Sequence, residues 1–128
     1  MSEGIQESRQ IADMTVSVES KVEIYDLLYQ LGATANYTGF FYASYAVQLC
    51  VEDPERLSLV TKWVYPDVAK QYQTSWKAVE RNIRTVSCII WERNRPLLEQ
   101  LAGRPLTNRP KNAQLLAILS YHIARELM

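Results

Sequence analysis

The chain has 128 residues, 48% of them hydrophobic and 22% charged, and its 14 Lys and Arg equal its 14 Asp and Glu. This size and composition fit one globular domain and argue against a two-domain enzyme or a disordered chain. The net charge of zero at first argues against a nucleic-acid partner. However, residues 1–60 carry nine acids and three bases, whereas residues 61–95 carry three acids and seven bases. Because residues 61–95 are basic, a nucleic-acid partner remains possible for this part of the chain.

Few residues offer the chemistry of a catalytic or metal site. Cys50 and Cys88 lie in apolar stretches and are predicted to be reduced core residues, and His122 is the single histidine. The sequence contains no paired metal-ligand spacing, phosphate loop or nucleophile motif, so we predict no catalytic residues, no metal and no cofactor. The N-terminus carries Glu3 and Glu7 rather than the bases of a signal peptide. We therefore expect a cytoplasmic protein that is not an enzyme and has no membrane partner.

The apolar residues recur at helical spacing and glycine is rare, which predicts an all-α domain of six or seven helices. Residues 1–15 lack this spacing, so we predict a flexible tail there and a helical domain over residues 16–128. The first helix runs from Val18 to Leu31, and Gly32 is a suitable stop. The second, from Phe40 to Cys50, is apolar on most sides and is predicted to be the central helix.

Prolines mark the starts of the next helices. Asp53-Pro54-Glu55 combines an Asp cap, a proline and an acid, and it predicts one helix that continues to Val64. Tyr65-Pro66-Asp67 predicts a short helix that ends near Tyr72. The remaining predicted helices are Trp76 to about Arg93, which is the longest, Pro96 to Leu101, and Asn112 to Leu127.

Residues 65–91 have the plan of a helix-turn-helix. Val68, Ala69 and Tyr72 of the short helix are predicted to face inward, and Gln73 stands in the turn where glycine is often found. At about 100° per residue, the second helix has an apolar arc opposite a charged arc. The apolar arc contains Val79, Ile83, Val86 and Ile90, and the charged arc contains Lys77, Arg81 and Arg84, with Glu80 beside them.

The charged arc has the chemistry of a DNA-reading surface. Arg81 and Arg84 are each suited to donate two hydrogen bonds to guanine, and Glu80 is suited to accept one from cytosine. Lys77 lies near the helix start, where it would neutralise a phosphate. The other predicted phosphate contacts are Thr74, Ser75 and Lys111. The spacing alone leaves open a solvated amphipathic helix whose charges have no such role.

Four stretches carry a resemblance to a known family: YPDVAKQY with VERNIR up to Trp91, LGATANYTGFFY, SLVTKWVYPD and RPKNAQLLA. With them the chain resembles, from about Val22 to Glu126, the C-terminal effector domain of the master response regulator of endospore formation, the stage-zero sporulation protein A of Firmicutes. The resemblance implies a six-helix bundle-like domain, related to winged-helix domains but without a wing. Its fifth helix would bind boxes of the TGTCGAA type as head-to-tail pairs. Glu80, Arg81 and Arg84 match the family's base-reading residues.

The same resemblance implies protein partners. Residues 92–104 match the segment that in the family touches the housekeeping sigma factor of RNA polymerase, and a homodimer on tandem sites is expected. Trp76 and Ala78 depart from the family, which commonly has a small residue and an Arg there. The phospho-acceptor receiver domain of family members has no counterpart in this sequence, so we expect the usual control by phosphorylation to be missing.

Two functions stay open. The first is a sequence-specific DNA-binding transcription regulator whose recognition helix, residues 76–91, reads the major groove of double-stranded DNA. The second is a protein-interaction module that pairs with a full-length regulator or with RNA polymerase and modulates it.

Overall fold

The computed structural model describes residues 18–128, and this part of the chain contains helices and no strand. The all-α prediction is confirmed. Helix α1 covers residues 18–31. It is followed by α2 (Thr38–Glu52), a 3-10 helix (Pro54–Ser58), α3 (Val60–Trp63), α4 (Tyr65–Gln71), α5 (Trp76–Ala102) and α6 (Asn112–Glu126). The flexible tail predicted for residues 1–15 lies outside the described residues.

Helix α2 is the central helix, as its sequence predicts. Ten of its 15 residues are buried, and it packs against α4, α5 and α6. The Phe40 side chain is 2% exposed and stacks on the Tyr25 ring of α1, with 5.3 Å between the ring centroids. Because burial of apolar surface is the dominant favourable contribution to folding, the domain is organised around this helix.

The two cysteines are free thiols, but they differ in burial. Cys50 of α2 is 1% exposed, and burial raises the pKa of its thiol to about 11. It is therefore a neutral core side chain at physiological pH. Cys88 of α5 is only half-buried, so the prediction of a core residue is confirmed for Cys50 alone.

The segment after α2 is not the single helix that its capping sequence predicts. The Asp53 side chain accepts a hydrogen bond from the Glu55 N–H at 3.2 Å, so the cap itself is present. The turn that follows is a 3-10 helix, and Leu59 (φ −158, ψ 81) interrupts the helical backbone before α3 begins. Arg56 lies 2.6 Å from Asp67 of α4. This ion pair links the 3-10 helix to the first turn of α4.

Helix α5 contains the break that the sequence predicts before Pro96, but as a kink within one helix. Asn94 has non-helical angles (φ −152, ψ 55). Its side-chain oxygen accepts from the Leu97 N–H at 3.3 Å, and its side-chain amide donates to the Gln30 carbonyl of α1 at 2.8 Å. Asn94 thus caps the second arm of α5 and holds the end of α1. The two predicted helices are the two arms of α5.

Gly39 allows a very close approach between α2 and α5. A Cβ atom at Gly39 would lie 2.2 Å from the Asn82 carbonyl oxygen and 2.8 Å from Cγ2 of Val86. The first of these neighbours is backbone and cannot rotate away. Glycine at this position therefore fixes the distance between the two helices.

The turn between α4 and α5 contains a left-handed residue that is not glycine. Gln73 has φ +53, a conformation that costs an ordinary residue about 1 kcal/mol or more. The Thr74 N–H donates to the Ala69 carbonyl at 2.9 Å and closes the turn. The Ser75 hydroxyl then accepts from the Ala78 N–H at 3.1 Å and caps α5.

We expect Gly39→Ala to lower the free energy of unfolding by about 3 kcal/mol, the upper end of the usual cost of overpacking, because α2 and α5 must move apart. Urea unfolding followed by circular dichroism measures this change. Gly103→Ala is the control: Gly103 has φ +74 and no atom within 4 Å of the added Cβ, so it should lose about 1 kcal/mol. Equal losses in the two variants would contradict the close approach.

We expect Gln73→Val to lower the free energy of unfolding by about 1–2 kcal/mol, because a β-branched side chain is poorly tolerated at positive φ. Gln73→Gly relieves the strain but also increases the entropy of the unfolded chain, so its net effect should stay within about 0.5 kcal/mol. The same urea titration compares the variants. A valine variant as stable as the wild type would show that the turn does not need the left-handed conformation.

Candidate nucleic-acid interface

Helices α4 and α5 form the predicted helix-turn-helix. Val68 and Ala69 of α4 are buried, as predicted. Tyr72 is 38% exposed, so the prediction that it faces inward is wrong. It follows the last residue of α4, where its ring leans on the Tyr42 ring of α2 with 5.2 Å between the centroids. The short helix therefore packs inward through Tyr65, Val68 and Ala69, and Tyr72 and Gln73 of the turn are exposed to solvent.

The two faces of α5 are divided as the helical wheel predicts. The buried face includes the four predicted apolar side chains, each 0% exposed: Val79, Ile83, Val86 and Ile90. The opposite side, which we call the outer face, has two rows of residues spaced four apart. The first row is Trp76, Glu80 and Arg84, and the second row is Lys77, Arg81 and Thr85. All of them are exposed except Glu80, which is half-buried.

Glu80 and Arg84 form an ion pair on the outer face. Nη2 of Arg84 donates to Oε1 of Glu80 at 2.6 Å, and the side chains are 52% exposed for Arg84 and 34% for Glu80. A solvated pair at this helical spacing contributes only about 0.3–0.5 kcal/mol. Because the ion pair is weak, a partner that offers Arg84 a bidentate acceptor can replace Glu80 as the acceptor of its hydrogen bonds.

A cleft of about 440 Å³ lies beside the first row. Its lining includes Glu80 and Arg84 of α5, Thr61 of α3, and Arg109 and Lys111 from the loop before α6. Three cations and one carboxylate give this cleft a positive field that attracts anions. Lys111 is a phosphate contact predicted from the sequence. Arg109 and Thr61 are not predicted there.

Two buried polar side chains fix the loop before α6 against α5. The Asn112 amide donates to the Glu80 backbone carbonyl at 2.9 Å, and the Ser87 hydroxyl donates to the Pro110 carbonyl at 2.9 Å. Asn112 is 8% exposed and Ser87 0%. Because buried polar groups without partners are costly, these bonds hold the cationic loop in register with the outer face. No spacing in the sequence reveals such pairs, because their partners lie 32 and 23 residues apart.

The remaining predicted phosphate contacts lie at the start of α5. Ser75 is exposed and Thr74 is half-buried. The Ser75 oxygen accepts from the Ala78 N–H, which leaves its O–H proton available for donation. Lys77 is exposed, with its ammonium 5.8 Å from the centre of the Trp76 ring. The structure thus groups Thr74, Ser75 and Lys77 at one end of the outer face and places Lys111 at its side.

Within residues 18–128, no group of three or more His, Cys, Asp and Glu side chains is placed to hold a metal ion. In the same range, no helix is both long enough and apolar enough to cross a bilayer.

Comparison with known protein families gives a match that covers most of the chain. The model of the family described as sporulation initiation factor Spo0A C terminal matches residues 24–123. The matched region runs from α1 into α6 and includes the helix-turn-helix and the cationic loop. The resemblance that the sequence motifs indicate is confirmed. The chain belongs to the Spo0A C-terminal family, a family of DNA-binding effector domains of sporulation regulators.

Proposed function

We propose that this protein binds double-stranded DNA sequence-specifically, with the outer face of α5 in the major groove, and that it regulates transcription from such sites. The division of α5 carries the proposal, because one face is fully buried while long polar side chains cover the other. The major groove is wide enough to admit an α-helix, and the second helix of a helix-turn-helix contacts base edges there. Membership of a DNA-binding family supports the same function.

Glu80, Arg81 and Arg84 are the proposed base-reading residues. Each arginine can donate two hydrogen bonds to O6 and N7 of guanine, and Glu80 can accept from the amino group of cytosine. In this proposal Arg84 exchanges its solvated contact with Glu80 for a guanine edge. Glu80 is then free to pair with a neighbouring cytosine.

The proposed phosphate contacts surround these residues. They are Thr74, Ser75 and Lys77 at the start of α5, and Lys111 with Arg109 in the cleft beside it. Contacts of this kind fix the register of a protein on the duplex and carry no sequence information directly. Because the whole chain has no net charge, attraction to DNA of arbitrary sequence should be weak, and base contacts should make a large share of the affinity for a correct site.

Two protein partners belong to the proposal: a sigma factor of RNA polymerase at residues 92–104, and a second copy of the chain on tandem sites. Part of the first segment serves the fold. Arg93 donates to the Gly32 carbonyl at 2.8 Å, and Arg95 donates to the Leu106 carbonyl at 2.5 Å. Arg93 and Arg95 are exposed but are held by these bonds, so the side chains expected to meet a polymerase are the other exposed ones: Glu92, Pro96, Gln100 and Arg104.

We expect Arg84→Ala to weaken binding to a duplex with a TGTCGAA-type box by about 1–3 kcal/mol and to reduce the preference for this duplex over a scrambled one. Lys77→Ala should weaken binding to both duplexes alike, because a phosphate contact ignores sequence. Fluorescence anisotropy with labelled duplexes measures both constants. Arg125→Ala is the control, since this exposed residue lies about 20 Å along α6 from Asn112. If Arg84→Ala left the affinity and the preference unchanged, base reading by α5 would be wrong.

We expect Lys111→Ala and Arg109→Ala each to make the salt dependence of binding shallower. The slope of log affinity against log salt should fall in magnitude by about 0.9 for each lost phosphate contact, because one fewer counterion is released. Anisotropy titrations at several salt concentrations give the slope, and Arg125→Ala should leave it unchanged. If the slope were unaltered in both variants, neither Lys111 nor Arg109 would contact phosphate and the cleft would not be part of the interface.

The alternative function is a protein-interaction module. It would be supported if this protein bound no duplex at low salt but co-purified with a full-length sporulation regulator in the absence of DNA. Wild-type binding measured before any variant distinguishes the two functions.

A further inference from the structure

We propose that Trp76 is a specificity-determining residue of this interface, and that its indole makes an apolar contact with the methyl group of a thymine in the major groove. The inference rests on the proposed function, which places α5 in that groove. Trp76 is the first residue of α5 and begins the row that continues with Glu80 and Arg84. The N-terminal residues of a recognition helix are those that contact base edges.

The packing of the domain does not account for the position of Trp76. Its side chain is 43% exposed, whereas Val79, three residues later, is 0% exposed. The nearby Tyr72 ring contacts Tyr42 and Tyr45, and none of the aromatic pairs among the described residues includes Trp76. A large apolar side chain is therefore presented to solvent on the face proposed to meet DNA.

The chemistry of the groove selects the partner of this side chain. Base edges in the major groove present hydrogen-bond donors and acceptors, and thymine adds an apolar methyl group. The neighbouring side chains of the outer face are charged and suit the polar edges, whereas the indole offers a broad apolar surface. The Lys77 ammonium lies 5.8 Å from the centre of the Trp76 ring. Lys77 can therefore contact a DNA phosphate while the adjacent indole contacts a thymine methyl group.

The spacing along α5 predicts where this thymine lies. Trp76 precedes Glu80 by about one helical turn, or about 5.4 Å, and stacked base pairs are about 3.4 Å apart. The contacted thymine should therefore lie about one to two base pairs from the base pair that Glu80 contacts, on the side toward the helix start.

Replacement of thymine by deoxyuridine tests the contact, because it removes only the methyl group. Each thymine of both strands is replaced in turn in a duplex that the wild type prefers over its scrambled version. For the wild type, one replacement should weaken binding about fourfold, the value of one buried methyl group. Trp76→Ala should lose this sensitivity at that position, and Trp76→Phe should retain part of it.

Trp63→Ala is the matched control. Trp63 is 48% exposed and has the Lys62 ammonium 4.8 Å from its ring centre, but it lines a different cleft, with Asp53 and Glu55. This variant should keep the full response to deoxyuridine. Circular dichroism of Trp76→Ala verifies its fold, and alanine is well tolerated at the start of a helix.

Three results would overturn the inference. In the first, Trp76→Ala responds to every deoxyuridine as the wild type does. In the second, Trp76→Ala weakens specific and scrambled duplexes alike while the wild type shows no methyl dependence, which would assign the indole to the DNA backbone. In the third, the wild type prefers no duplex, so that the proposed function fails first and this inference fails with it. A wild type that binds selectively separates the failure of the inference from the failure of the function.

Discussion

The interface relies on the contact between the start of α2 and the first arm of α5, before the kink at Asn94. At Gly39 the two backbones approach so closely that a Cβ would lie 2.2 Å from the Asn82 carbonyl oxygen. This close approach packs the buried face of α5 against the central helix α2. Because each turn of a helix has a fixed geometry, complete burial of one face determines which residues occupy the other. The rows that begin at Trp76 and Lys77 face outward as a consequence.

Contacts with three other elements hold α5 along its length. The turn after α4 sets its first residue, with the Ser75 hydroxyl as cap. The buried Asn112 amide ties the Glu80 carbonyl to the start of α6. Near the kink, Arg93 donates to the carbonyl of Gly32, where a Cβ would lie 2.7 Å from Cβ of Arg93. The first arm of α5 is thus held at its cap, at Glu80 and at Arg93, so it can present side chains in a defined register, as base reading requires.

The sequence was sufficient to predict the all-helical fold and the division of α5, because burial follows directly from the spacing of apolar residues. It was less informative where a distant contact decides the local structure. The contact of Arg56 with Asp67 accompanies the interruption at Leu59, although Asp53 is a sound cap. Arg109 enters the candidate site through the packing of one loop on α5. No periodicity encodes that packing.

The same limit applies to charge. The sequence shows that acids are concentrated in residues 1–60 and bases after them, but a count along the chain does not show which bases share a surface. The fold brings Arg84 of α5 together with Arg109 and Lys111 of a loop 25 or more residues later. A chain without net charge can thus carry a local positive field where the proposed interface needs one.

Selection of bound sequences from a random double-stranded DNA library would show whether the outer face of α5 reads DNA. We expect the wild type to enrich one short motif in which guanine and cytosine stand at adjacent positions, matching the donors Arg81 and Arg84 and the acceptor Glu80. Absence of any enriched motif, at a salt concentration low enough for phosphate contacts to act, would contradict the claim that the outer face of α5 reads DNA.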